Sequence, residues 1–448
     1  MGLSTRRAEG QYSFQYVEIA ILENFSLLFD EYLLALQQSN NPLIHEDGKI
    51  MLRKFTGRLS KVHRDIWLFI IAAAIIGFGG QIVESTFNNF LSETYKISGL
   101  KRSVLELPRE LPGFFVVFVS ALLCFLPGRR LAAFAMILQA AGLVLLAFCG
   151  SSFSLMLAWL FVMSLGQHLF ISLQSSIGME LAREGQEGRR LGQFSSVRNI
   201  ASLAGCFLVY VGFKYLHFTF TMSFIIAAAT LLIASGCFMA MTPISAHKKT
   251  VHLKLYKEYR LFYWLSVLFG TRKQIFITFA PWVLVTVFDK PTYTIAWLYI
   301  LGGAAGIVFQ PFLGWMIDRM GERFVLVSEA SILVFVCIGY GFAKSVFPSG
   351  NTAYVIAAVC FVIDMLMISA GMARATYLKK IAIHPAHIAP TLTMGVSIDH
   401  VFSIGIAFAC GFVWNIFGFQ YVFLIGALIA IVNIFSALRI RVPGKILK

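Results

Sequence analysis

Twelve apolar stretches occupy this chain from residue 66 to residue 439, and they constrain the fold more than any other feature. They run roughly 66–92, 104–126, 131–149, 153–178, 193–213, 218–241, 261–288, 292–317, 324–343, 352–373, 389–415 and 419–439. A helix rises 1.5 Å per residue, so each stretch is long enough to cross a hydrocarbon layer about 30 Å thick. Hydrophobic residues make up 58% of the 448 and charged residues only 13%, against about 25% charged in soluble domains. The mean hydropathy is +0.77. The expected fold class is an all-α polytopic membrane protein with twelve transmembrane helices.

A net charge of +15 would suit a nucleic-acid partner. Its placement excludes that reading, because the Lys and Arg residues cluster between apolar spans, where membrane topology places them. With the N-terminus inside, 26 Lys and Arg fall on the cytoplasmic side and 7 on the outer side. Both termini are therefore expected in the cytoplasm. Seven cysteines are scattered through the spans without metal-ligand spacing. No nucleotide-binding loop or hydrolase motif is present, and no catalytic residue, metal or cofactor is expected.

After the first span, the longest connection is 242–260, which divides the spans six and six. The expected organisation is an N-terminal arm (1–65), a six-helix bundle (66–241), a cytoplasmic linker (242–260), a second six-helix bundle (261–440) and a short tail (441–448). The arm is not a signal peptide, since its one apolar stretch is broken by Glu18, Glu23, Asp30 and Glu31. It reads as an amphipathic helix on the membrane. Alternatively it is dispensable, because Met51 precedes a basic leader running into the first span.

Gly314-Trp315-Met316-Ile317-Asp318-Arg319-Met320-Gly321-Glu322-Arg323 joins two of the spans. It reads as a tight, charged turn, with Gly314 and Gly321 allowing a sharp bend and close helix approach. It resembles the G-x-x-x-D-R-x-G-x-R cytoplasmic turn of the major facilitator superfamily. The corresponding N-terminal turn, Pro127-Gly128-Arg129-Arg130, lacks the acid. Leu107 to Gly113 and Gly395 to His400 resemble stretches of a bacterial subgroup of that family, and they carry no substrate assignment with them.

An ionisable residue in the middle of a span costs about 2.5–3.5 kcal/mol on insertion scales, so each is a functional candidate. The first span carries Gln81, Glu84 and Asn88 at helical spacing, which suits either a water-filled cavity or interhelical hydrogen bonding. His168 lies in the fourth span, Arg272 and Lys273 in the seventh, Asp364 in the tenth, and Asp399 and His400 in the eleventh. Two cations and two carboxylates nearly balance, as buried groups that pair with one another would. Glu106, Pro108, Arg109, Glu110 and Pro112 are expected at the outer, water-facing end of the second span.

The resemblance implies a secondary active transporter of a small solute or drug-like molecule in the plasma (bacterial inner) membrane. It also implies coupling to protons, rocking of the two halves, and a monomer with the lipid bilayer as its surroundings. Gln81, Glu84, Asn88, His168, Arg272, Lys273 and Asp364 are the expected cavity residues. Arg272 and Lys273 would bind an anionic group. Asp399, His400 and Glu84 are the proton-carrying candidates. Gly314, Asp318, Arg319, Gly321 and Arg323 form the gating turn. The alternatives are a membrane-embedded lipid-modifying enzyme and a non-transporting receptor with a transporter fold.

Overall fold

Three of the helices start at a hydroxyl cap, and two pairs of helices are joined at a glycine. Ser98, Ser152 and Thr219 each accept a backbone N–H from three residues on, which satisfies one of the free donors of a helix N-terminus. Gly321 and Gly418 have φ of 85° and 102°. Each forms a one-residue joint between two long helices, a conformation that side-chain-bearing residues rarely adopt.

The computed structural model describes residues 42–122, 126–182, 187–243, 255–384 and 387–441. The helices are α1 (Pro42–Phe90), α2 (Gly99–Val104), α3 (Glu106–Leu122), α4 (Gly128–Cys149), α5 (Phe153–Glu180), α6 (Glu187–Tyr215) and α7 (Phe220–Ala240). After the linker come α8 (Arg260–Thr286), α9 (Thr292–Met320), α10 (Glu322–Val346), α11 (Gly350–Met367), α12 (Gly371–Ile381), α13 (Ile388–Phe417) and α14 (Phe419–Ala437). The expectations for residues 1–41, for most of the linker and for the tail lie outside the described residues.

Among the described residues, ten helices are long and apolar enough to cross a membrane. The two other expected spans are helical as well, as α2–α3 and as the 27-residue α8, which carries Arg272 and Lys273. The second span begins earlier than its hydropathy indicates. α2 starts at Gly99 under the Ser98 cap, and a one-residue break at Leu105 leads into α3. Pro108 has no N–H to give to Val104, which accounts for the break. The five-residue shift carries Glu106, Arg109 and Glu110 away from the membrane edge and into the interior.

Ile66–Lys448 form one unit, and its apolar cores follow the two halves. One core, around Phe69, Leu143 and Phe224, draws almost wholly on the first half. The second half has two cores, one around Phe276, Tyr340 and Phe423 and one around Phe262, Leu326 and Tyr377. The halves meet where α6 packs on α9 and where α13 packs on α2 and α3. At the membrane end away from the linker, Tyr210 lies on Trp297 with ring centroids 5.5 Å apart, and Asn89 Nδ2 donates to the Lys290 carbonyl at 3.0 Å.

Candidate functional site

A seam of ionisable and amide side chains runs through the middle of the bundle. Arg102 and Glu106 lie one helical turn apart and are 0% and 1% exposed. The Arg102 Nη1 donates to Glu106 Oε1 at 2.6 Å, and its Nε donates to Asn88 Oδ1 at 3.1 Å. Arg109, one turn further on, pairs with Glu84 at 3.4 Å. So Glu84 and Asn88 of the α1 stripe face α2 and α3. Gln81 does not reach that seam; it lies 3.5 Å from Ser85 on its own helix. Reading Glu106, Arg109 and Glu110 as water-facing outer residues is therefore wrong, and two of the cations counted on the outer side, Arg102 and Arg109, are interior ones.

The seam continues into the second half. Gln274 of α8 donates its Nε2 to Glu106 Oε2 at 2.9 Å. His400 of α13 donates from Nδ1 to Glu110 Oε2 at 2.8 Å. The His168 ring lies beside that of His400, with centroids 5.4 Å apart. Its Nδ1 is 3.0 Å from the Ser164 carbonyl, which can only accept, so Nδ1 carries the hydrogen.

The charges that the sequence balances against each other are paired. Arg272 Nη1 donates to Asp364 Oδ1, and both side chains are almost fully buried. Lys273 Nζ donates to Asp399 Oδ2 at 2.9 Å, with 22% and 16% of the two side chains exposed. Ser403 donates to the other Asp399 oxygen at 3.1 Å. A side chain at Gly270 would collide with the Asp399 carboxylate, so glycine there makes room for the pair. Although Asp399 and His400 are adjacent, they serve different contacts. Asp399 stays within its half, and His400 reaches across to the other.

Two cavities lie toward the linker side of the bundle. The first, about 110 Å³, is walled by Phe69, Phe170 and Phe194 and carries Gln174, Ser195 and Arg198. The second, about 230 Å³, is bordered by Phe262, Ser266, Phe269, Arg374 and Asp399. Glu110, His168 and His400 could hold a metal ion, since their ligand atoms lie within 4.8 Å of one another. The neighbouring Arg109 charge acts on both Glu110 and His168 and opposes a cation there.

The turn differs from its expected form. α9 runs through to Met320, so Gly314 is a helix-interior residue, and a side chain added there would meet nothing within 4 Å. Only Gly321 bends the chain. Asp318, Arg319 and Arg323 are exposed, and Arg319 lies over the Trp315 ring. The buried acid of the turn is Glu322, 1% exposed and paired with Lys380 of α12 at 2.5 Å.

Residues 111–396, nearly two thirds of the chain, match the family model of the Major Facilitator Superfamily. The chain belongs to this superfamily. It is accordingly an integral membrane transport protein rather than a membrane-embedded enzyme. Among solved structures, a nucleoside transporter, NupG, is similar at TM-score 0.66 and 16% identity, over 84% of this chain and 98% of that one. A D-xylose-proton symporter is similar at TM-score 0.65 and 12% identity, over 86% and 98%. A peptide transporter, POT, solved with sulfate, is similar at TM-score 0.67 and 13% identity, over 84% and 94%. At these identities the likeness carries the fold alone. No curated protein matches the chain.

Proposed function

We propose that this superfamily member is a secondary active transporter that moves one small solute by rocking its two six-helix halves, coupled to protons. We place it in the plasma (bacterial inner) membrane, as a monomer with both termini and the linker cytoplasmic. The positive-inside asymmetry supports that orientation, and it grows once Arg102 and Arg109 are removed from the outer count. The carrying observation is the seam itself. Two polar contacts, Gln274 with Glu106 and His400 with Glu110, cross between the halves in the middle of the membrane. Rocking halves need such a joint, one that can be broken and remade.

Asp399 is the coupling group in this reading. It borders the larger cavity and is held by Lys273. A proton on Asp399 removes the charge that holds Lys273, and its neighbour His400 carries the contact to Glu110 in the other half. Glu84, paired with the partly exposed Arg109, is the second proton-carrying candidate. The test compares counterflow with uptake driven by a pH gradient in proteoliposomes. Asp399→Asn should abolish uphill uptake and leave downhill exchange intact. If the variant still concentrates solute on a pH gradient alone, Asp399 is not the coupling site.

A further inference from the structure

We infer that the transported solute is an organic anion, held by Arg198 in the cavity of the first half; this rests on the transport reading above. Four other deep cations among the described residues are each paired with a carboxylate. Arg102 has Glu106, Arg109 has Glu84, Arg272 has Asp364 and Lys273 has Asp399. Arg374 makes no ion pair among the described residues, but it shares the wall of the second cavity with the Asp399 carboxylate. Arg198 has only the neutral Gln174, whose Oε1 accepts from its Nη1 at 3.2 Å. Among the described residues no carboxylate acts on it.

Among the described residues, Arg198 is also the one charged side chain on the wall of the first cavity, where the other polar groups are Gln174, Ser175 and Ser195. Arg does not shed its proton, so the cavity keeps a positive charge at any physiological pH. A guanidinium inside a membrane span without a counter-charge is expensive, and such residues mark substrate paths. Arg272 and Lys273, the cations that the sequence put forward for this task, are neutralised by their own half. The remaining wall of Phe69, Ile76, Phe170 and Phe194 is apolar, so the ligand is an anionic group attached to an apolar body. A carboxylate and a phosphate both fit the guanidinium fork.

The experiment measures thermal stabilisation of the full-length purified protein by four matched probes: benzoate, phenyl phosphate, benzamide and benzylamine. Saturable stabilisation is expected from one or both anions and not from the neutral amide or the amine. The two anions separate carboxylate from phosphate recognition. A charge-assisted hydrogen bond is worth about 1.5–3 kcal/mol, so Arg198→Gln should weaken anion binding by about tenfold or more. Arg198→Lys should recover part of it.

Benzamide binding as well as benzoate would overturn the inference. So would the absence of any saturable response to both anions, or an Arg198→Gln variant that binds anions unchanged. A ligand-free measurement stands beside these. Arg198→Met should not lower the unfolding midpoint, since among the described residues it breaks no ion pair; a clear fall would make Arg198 a structural tie. Flux of neutral solutes alone would overturn the anion and leave transport standing. Anion binding through Arg198 without flux of any solute would do the reverse.

Discussion

Arg272 and Asp364 offer a measurable contrast with Lys273 and Asp399, because the two pairs are adjacent on α8 and differ in burial. The side chains of Arg272 and Asp364 are 3% and 5% exposed. Removing one partner of such a pair strands a charge that water cannot reach, at a cost of about 3–5 kcal/mol. Arg272→Met and Asp364→Leu should each show that loss. The double variant should recover most of it, since replacing a buried pair by apolar groups is often neutral. Glu329 also acts on Arg272, which will leave the double variant somewhat below the parent. Lys273 and Asp399, at 22% and 16% exposure beside a cavity, can be hydrated when one partner is lost. Their single variants should cost about 1 kcal/mol. Reversible unfolding in mixed detergent micelles reads both double-mutant cycles. If Lys273→Met destabilises as much as Arg272→Met, water does not reach the second pair and its assignment to coupling loses its basis. If the Arg272 double variant is no more stable than the singles, the pair is not the tie described here.

Gln274→Lys should turn the amide contact with Glu106 into an ion pair between the halves. The unfolding midpoint should rise while counterflow slows by about tenfold or more; a faster exchange would show that this contact is not broken in the cycle. At the turn, Glu322 is buried while its partner Lys380 is 43% exposed, so Glu322→Gln should lower stability by only about 1 kcal/mol, because water can solvate the Lys380 ammonium. Asp318→Asn should leave stability unchanged and slow transport severalfold, read by expression-normalised counterflow. An unchanged rate would reduce the Asp318 turn to a connector.

The spans were legible because length and hydropathy report burial in lipid directly. Ion pairing of Arg272 and Lys273 with Asp364 and Asp399 was legible in outline, since four mid-span charges must cancel. The second span was misread for a physical reason. Glu106, Pro108, Arg109, Glu110 and Pro112 depress its local hydropathy, and a hydropathy profile cannot tell a wet helix end from a buried polar seam. Its spacing did carry a signal: Arg102, Glu106 and Arg109 repeat at four and three residues, the mark of a single helical face. Arg198 was missed because it follows a basic loop and was counted with it. Gly314 was read into the turn because sequence cannot show that α9 continues to Met320 before bending. The contact between His400 and Glu110 joins residues 290 apart in sequence, and nothing local announces it.

The chemistry of the contacts sorts with where they lie. Among the described residues, each ion pair of Arg or Lys in the seam closes within one half: Arg102 with Glu106 and Arg109 with Glu84 in the first, Arg272 with Asp364 and Lys273 with Asp399 in the second. The contacts that cross between halves use weaker partners for their acceptors, the Gln274 amide on Glu106, the His400 imidazole on Glu110 and the Asn89 amide on a backbone carbonyl. Energetics favours this arrangement in a molecule whose halves part on every cycle. Separating a buried ion pair leaves a stranded charge on each side, at about 3–5 kcal/mol for one partner. An amide leaving a carboxylate gives up about 1.5–3 kcal/mol, and water entering the opened seam returns part of it. Ion pairs therefore tie the helices within each half, while the contacts that must part at the joint give their acceptors amide and imidazole partners.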